Sequence, residues 1–199
     1  MLRLLLVRHA QSEWNASGRW QGQADPPLSD LGVRQAALAA RAVGAVDGIV
    51  ASPLERAVHT ASIIAEEVGV GPVLTADHLI ERDAGEWSGL TRADIDEQWP
   101  GYLQAGHRPP GYEDDTRLLE RVLTGLGGLA DHFGTPAEVL VVAHAGVIYA
   151  VESHLGEPFE RIPNLGGRWV TYDGSHLQLG LRVELLDAEH ATVQAPDQL

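Results

Sequence analysis

The chain has 199 residues, 44% of them apolar, and its 28 acidic residues exceed its 14 basic residues to give a formal charge of −14. This length and composition suit one folded domain with a sizeable core, and they argue against global disorder. The acidic balance argues against a nucleic-acid partner or an anionic membrane surface, because both need clustered Lys and Arg. An anionic ligand must therefore be bound by a local cluster of positive groups.

The absence of cysteine excludes disulfides, thiolate nucleophiles and cysteine zinc sites, and it is compatible with a reducing cytosol. The apolar run from Leu4 to Val7 is shorter than the ~7–15 residues of a signal-peptide core. No run approaches the ~20 apolar residues of a membrane helix. We therefore expect a cytoplasmic protein with no membrane partner.

The first 51 residues contain two apolar runs that predict strands buried on both faces, as in a parallel sheet. These runs are LRLLLV at residues 2–7 and GIVA at residues 48–51. A polar loop follows the first run, and an Ala-rich helix is predicted from Ser29 to about Val43. The residues after 51 predict a second helix, with Ser52 as N-cap, Pro53 at the first helical position and Glu55 completing a capping box.

The rest of the chain continues the alternation of strand and helix. A weak extended segment covers residues 73–80, and an insertion at 83–115 carries a short helix near 91–99. The remaining predicted elements are a helix over 119–133, a buried strand at 138–143, a helix over 147–155, and edge strands at 168–173 and 181–187. We expect a single domain over residues 1–199, an α/β protein built as a three-layer α/β/α sandwich with a largely parallel central sheet.

Charged side chains follow the predicted strands where those strands end. Arg8 and His9 follow the first strand, Arg56 lies in the first turn after the second, and Glu81 and His144 end two later segments. Because ligands bind beyond the carboxyl ends of strands in α/β sheets, we expect these five side chains to meet at one edge.

This set of residues suits phosphoryl transfer without a metal or cofactor. Arg side chains bind phosphate oxygens bidentately, and a neutral His can attack phosphorus. A carboxylic acid can protonate the leaving oxygen and then act as a base on water. A metal site is not expected, because no helical His-x3-His spacing is present and the arginines would repel a cation.

Four segments in order along the chain resemble the motifs of the histidine phosphatase superfamily, also called the phosphoglycerate mutase-like family. They are LLVRHAQSEWN at 5–15, SPLERAVHTA at 52–61, LIERDAGEWSG at 79–89 and VVAHAGVI at 141–148. The segment at 20–36 also matches the usual connection. The resemblance covers about residues 2–155.

The resemblance implies a role for each matching residue. His9 would be the phosphorylated nucleophile, Glu81 the proton donor, and Arg8, Arg56 and His144 the groups that bind the phosphoryl group. The residues implied in substrate binding are Asn15, Gln21, Gly22 and Ala145. Asp83 and Glu86 are rival donors, but the spacing before Gly85-x-Trp87-x-Gly89 favours Glu81.

Two positions depart from the family's pattern. Ala10 follows the nucleophile where the family usually has Gly, and Ala145 also replaces a frequent Gly. A positive φ at position 10 would strain Ala. Related phosphatases nevertheless have Ala there.

The resemblance implies a phosphoric monoester hydrolase, similar to acid phosphatases, that acts on a small phosphorylated metabolite through a phosphohistidine. Two alternatives remain open: a 2,3-bisphosphoglycerate-dependent phosphoglycerate mutase and a non-catalytic phosphate-binding module. Two features favour the phosphatase. The chain is short, and residues 81–85 read ERDAG where mutases usually have ERHYG. The stretch 165–169 faintly resembles phosphatases of actinobacterial sugar-phosphoglycerate metabolism, and a homodimer is compatible with the family. We also expect the 83–115 insertion to cap the active site.

Overall fold

A computed structural model describes residues 1–192, which are built on a six-stranded sheet. The strands are β1 (Leu2–Arg8), β2 (Gly48–Ala51), β3 (Leu74–Thr75), β4 (Ala137–Ala143), β5 (Gly166–Tyr172) and β6 (Leu177–Glu184). Their order across the sheet is β3-β2-β4-β1-β5-β6. The first four strands in that order run parallel, whereas β5 is antiparallel to both β1 and β6.

Seven helices connect or flank these strands in the described part of the chain. They are α1 (Glu13–Ala16), α2 (Asp30–Val43), α3 (Glu55–Val68), α4 (Arg92–Gln98), α5 (Tyr102–Ala105), α6 (Asp115–Phe133) and α7 (Ala145–His154). Short 3-10 turns cover Asp77–Leu79 and Gly85–Trp87. No helix within residues 1–192 combines the length and the apolar character that a bilayer span requires.

The sheet separates two apolar cores because successive strand residues point to opposite faces. Leu4 and Leu6 of β1 pack with α6 and α7 on one face. Leu5 and Val7 pack with α2 and α3 on the other face. The strands β1, β2 and β4 are buried on both sides, which explains their continuous apolar sequences. The predicted three-layer sandwich with a largely parallel sheet is confirmed.

The predicted start of the helix after β2 is wrong. The helix α3 begins at Glu55 with Leu54 as its N-cap, and no side chain caps it. The Ser52 hydroxyl instead lies 2.7 Å from Nε2 of His144. The Leu54 N–H lies 3.5 Å from the same Ser52 hydroxyl oxygen. The hydroxyl that the capping pattern assigns to the helix is therefore bonded to a histidine that follows the neighbouring strand β4.

The insertion and the helix after it are more regular than the sequence predicts. The expected short helix is present as α4, and α5 follows it. The helix α6 runs unbroken through Gly125, where a Cβ would lie 2.8 Å from that of His78. The glycine there permits close packing of α6 on the turn at Asp77–Leu79.

A buried carboxylate joins α7 to the two antiparallel strands. Glu152 is 3% exposed, and its carboxylate accepts bonds from Arg182 of β6 at 2.9 and 2.6 Å. Arg168 of β5 lies 3.8 Å from the same carboxylate. These contacts fix the helix whose first turn follows His144.

Neutralising Glu152 should therefore destabilise the fold. Glu152→Gln leaves two partly buried guanidinium groups without their shared partner, so we expect a loss of about 2–4 kcal/mol in the free energy of unfolding. Glu160→Gln is the matched control, because Glu160 contacts the same Arg182 but is exposed. Its cost should stay below about 0.5 kcal/mol. Equal urea midpoints for the two variants would contradict this interpretation.

Candidate active site

The parallel register of three strands brings the predicted site residues to one edge of the sheet. Arg8 at the end of β1 pairs with Ala143 of β4, and Ala51 of β2 pairs with Val142. His9, Ser52 and His144 directly follow these strand ends. Backbone bonds continue the register, from the His9 N–H to the Ala143 carbonyl at 3.0 Å and from the Ser52 N–H to the Val142 carbonyl at 2.9 Å.

A cavity of about 560 Å³ opens at this edge. Of the nine predicted site residues, it is lined by Arg8, His9, Gln21, Gly22, Arg56, Glu81 and Ala145. His144 lies behind this lining, fully buried, with its ring centroid 5.2 Å from that of His9. Asn15 is not part of the lining.

The hydrogen bonds of His9 determine which of its ring nitrogens carries the proton. Nδ1 lies 2.6 Å from the Ala10 carbonyl oxygen, so this nitrogen must donate. Nε2 accepts a bond from Nε of Arg56 at 3.2 Å, so it carries the lone pair. Ala10 needs no positive φ, since Leu165 is the one non-glycine residue with a positive φ within residues 1–192. The missing glycine after His9 therefore causes no backbone strain.

Both histidines are neutral at neutral pH. Burial lowers the pKa of His9 well below its ordinary value, and the charges of Arg56 and Arg8 lower it further. The pKa of His144 is also well below the ordinary value, mainly because of burial and then because of Arg56. A neutral imidazole with a free Nε2 lone pair has the chemistry of a nucleophile.

Backbone carbonyls surround the buried charge of Arg56. Its guanidinium donates to the Ala24 carbonyl at 2.7 Å and to the Gly22 carbonyl at 2.9 Å. Burial lowers the pKa of Arg56 to about 10, against the opposing effect of Glu81 and Asp25. Arg56 is therefore still charged at neutral pH.

Arg8 is bonded in the same way. It donates to the Ile162 carbonyl at 2.9 Å, and burial lowers its pKa. Arg8 and Arg56 thus place two oriented guanidinium groups beside His9.

Glu81 lies between two backbone N–H groups. Its carboxylate accepts from the Arg82 N–H at 2.7 Å and from the Gly146 N–H at 3.3 Å. A Cβ on Gly146 would collide with Oε1 of Glu81, so a side chain at position 146 would displace the Glu81 carboxyl group.

The two rival carboxylates lie outside the cavity lining. The Asp83 carboxylate accepts from the Gly85 N–H at 2.8 Å within its own turn. Glu86 is exposed. Asp114 and Asp115 do line the cavity, but they pair with Arg117 and Arg82 respectively.

Asn164 supports the nucleophile and was missed by sequence reasoning. Its amide nitrogen donates to the His9 carbonyl at 2.9 Å and to Oδ1 of Asn15 at 3.2 Å. Its amide oxygen accepts from the Thr192 hydroxyl at 3.1 Å. Oδ1 of Asn15 also accepts a hydrogen bond from the Ser12 N–H. Nδ2 of Asn15 is buried without a partner among residues 1–192. The role of Asn15 in substrate binding stays a prediction.

One wall of the cavity is formed by basic and aromatic side chains, Arg82, Arg108 and Tyr112, which were not among the predicted site residues. The guanidinium of Arg108 lies 5.3 Å from the ring of Tyr112, and that of Arg82 lies 5.4 Å from the same ring. Arg82 pairs with Asp115 at 2.7 Å. Arg108 has no carboxylate within 4 Å in the described part of the chain. The only sequence signal for this wall is its place in the 83–115 insertion.

Comparisons with known proteins show which family this chain resembles. The model of the histidine phosphatase superfamily (branch 1) matches residues 4–179. A glucosyl-3-phosphoglycerate phosphatase of Mycolicibacterium vanbaalenii is 35% identical over 190 residues, which cover 86% of this chain and 84% of the relative. Phosphoserine phosphatase 1 of Hydrogenobacter thermophilus is 45% identical over 102 residues, 50% of this chain and 48% of the relative.

A solved structure also resembles this chain. A mycobacterial glucosyl-3-phosphoglycerate phosphatase complexed with VO3 matches with a TM-score of 0.80 and 30% identity, over 90% of this chain and 97% of that one.

The lowered pKa values predict a loss of stability in mild acid. Below about pH 6.5 the unfolded chain binds protons at His9 and His144 that the folded chain does not bind. The free energy of unfolding should therefore fall as the pH falls from about 6.5 to 5, by up to about 1.4 kcal/mol per pH unit for each group. His9→Gln with His144→Gln should flatten this slope in urea titrations, whereas the exposed His154→Gln should keep it. An unchanged slope in the double variant would refute the assignment.

Proposed function

Because the chain belongs to the histidine phosphatase superfamily, we propose that it is a phosphomonoesterase. We propose further that the reaction passes through a phosphohistidine at His9. One observation carries the proposal. The unprotonated Nε2 of a buried, neutral His9 meets the Arg56 guanidinium at the base of a cavity wide enough for a small metabolite. A phosphoryl group bound by the two arginines would lie against this nitrogen.

In the first step, His9 Nε2 attacks phosphorus and a P–N bond forms while the P–O bond of the ester breaks. Glu81, as a carboxylic acid, gives its proton to the leaving alkoxide oxygen. Arg8, Arg56 and His144 donate to the phosphoryl oxygens and stabilise the charge in the transition state.

In the second step, the Glu81 carboxylate takes a proton from water as that water attacks phosphorus. The P–N bond breaks, inorganic phosphate leaves and neutral His9 is restored. We expect no metal requirement, because Arg8 and Arg56 supply the positive charge.

For the substrate, we propose a small phosphate monoester that also carries a carboxylate. Glycerate and serine, which occur in the names of two similar phosphatases, both carry one. Arg108 lines the cavity and has no carboxylate partner among residues 1–192, which supports its pairing with such a group. Trp20, Tyr149 and Phe159 add aromatic surface suited to a sugar or another apolar face. The stretch 165–169 does not line the cavity, so it does not support a substrate assignment.

The residues of the insertion support a capping role for it. Ala84, Gly106, Arg108 and Tyr112 contribute to the cavity lining. We propose that residues 83–115 cover the substrate and select it. A cytoplasmic location and a homodimer stay predictions.

Hydrolysis is favoured over the two alternatives. The relatives and the solved structure named above are phosphatases, which supports phosphate release over mutase transfer. The presence of His9, Arg8 and Arg56 argues against a non-catalytic module. With 3-phosphoglycerate and 2,3-bisphosphoglycerate present, isomerisation faster than phosphate release would instead support the mutase.

His9 should become phosphorylated during turnover. Intact-mass analysis after a rapid quench without acid should show one added phosphoryl group, and acid should remove it. His9→Ala should lack both this adduct and activity, while the exposed His154→Gln should keep both. The assay is run with and without a chelator, and equal rates are expected. A normal rate for His9→Ala would refute the mechanism.

Glu81→Gln should slow alkyl phosphates much more than aryl phosphates. A general acid contributes roughly 10²–10⁴-fold to kcat, and p-nitrophenolate needs little protonation to leave. Asp83→Asn and Glu86→Gln are the matched controls, because both are nearby carboxylates outside the cavity lining. If either control shows the contrast and Glu81→Gln does not, the proton donor is assigned to the wrong residue.

Arg108→Gln should raise KM selectively for substrates that carry a carboxylate. One charge-assisted hydrogen bond contributes about 1.5–3 kcal/mol, so kcat/KM for 3-phosphoglycerate should fall by about 10–100-fold. The value for p-nitrophenyl phosphate should change little. Arg41→Gln, with the same charge change on an exposed part of α2, should alter neither value. An equal loss for both substrates would exclude a carboxylate contact at Arg108.

A further inference from the structure

His144 has one hydrogen-bond partner among the described residues. Its Nε2 lies 2.7 Å from the Ser52 hydroxyl, and both residues are fully buried. Its Nδ1 is buried without a partner within residues 1–192. A buried nitrogen that lacks a partner is costly, so Nδ1 needs a partner in the working enzyme.

The charge state of the ring limits how His144 can act. Because its pKa is well below the ordinary value, the resting imidazole is neutral and carries one N–H. Among residues 1–192, Nδ1 is the ring nitrogen without a partner, and the ring centroid lies 5.2 Å from that of His9. Nδ1 must therefore carry the proton in order to donate to a phosphoryl oxygen bound at His9. Nε2 must then be the acceptor in its bond with Ser52.

The surroundings of Ser52 match this requirement. The Leu54 N–H points to the Ser52 oxygen at 3.5 Å, which leaves the hydroxyl proton for Nε2 of His144. The Ser52 N–H is bonded to Val142, two residues before His144 on the neighbouring strand. The sheet therefore sets the position of the hydroxyl relative to the imidazole.

We propose that Ser52 is a positioning residue that donates to Nε2 of His144 and so keeps the His144 proton on Nδ1, facing the phosphoryl group. This inference rests on the proposed function for the role of His144 in turnover. The tautomer itself is a property of the resting protein and does not depend on any substrate.

The first test is the tautomer in the resting protein. Nitrogen-15 NMR of histidine-labelled protein, with His144 assigned from a His144→Gln sample, should show a protonated Nδ1 and an unprotonated Nε2. In Ser52→Ala the His144 signals should shift toward a mixture of the two tautomers. A proton on Nε2 in the unsubstituted protein would overturn the proposal, whether or not Ser52→Ala folds.

The second test is kinetic, with p-nitrophenyl phosphate as substrate. Ser52→Ala removes one neutral hydrogen bond, so we expect kcat to fall by about 3–10-fold with little change in KM. Ser52→Thr retains a hydroxyl and should recover most of this loss. Ser62→Ala, the same change at an exposed position of α3, should have no effect.

The outcomes separate this inference from the proposed function. If the unsubstituted protein releases phosphate and Ser52→Ala has an equal kcat with a lowered Tm only, Ser52 is structural and the inference is wrong. If the unsubstituted protein forms no phosphohistidine, the proposed function fails, and the NMR spectrum still decides the tautomer.

Discussion

Two arginine side chains are buried beside a histidine, and the surrounding structure must satisfy them. Burying a charge is costly unless it is well hydrogen-bonded. Here most of the partners are backbone carbonyls, of Gly22 and Ala24 for Arg56 and of Ile162 for Arg8. Carbonyl oxygens orient a guanidinium without neutralising it. The base of the cavity thus stays positive although the whole protein is strongly acidic.

The same buried charge sets the state of the imidazoles. Positive groups near His9 and His144 oppose their protonation, and burial acts in the same direction. The electrostatic arrangement that binds an anion therefore also keeps the nucleophile unprotonated. Glu81 completes the arrangement as a carboxyl group that accepts from two backbone N–H groups near these charges.

The sheet and the central site were predictable because both depend on short-range patterns. Continuous apolar runs identify the doubly buried strands, and residues after parallel strands must meet at one edge. Ser52 was misassigned because a capping pattern is local, whereas its actual partner, His144, follows the end of the neighbouring strand β4. Arg108 and Asn164 carry no such pattern, since irregular segments bring them to the site.

Asn164 links the nucleophile to residues near the far end of the described chain. One amide group bonds the His9 carbonyl and the Thr192 hydroxyl, and Gln35 also donates to that hydroxyl, at 3.2 Å. Contacts between residues so distant in sequence close long loops, and they require both ends of the chain segment to be present. During synthesis on the ribosome, the support beneath His9 is therefore complete only after residue 192 has emerged, so a nascent chain can contain the whole parallel sheet and still lack a finished site.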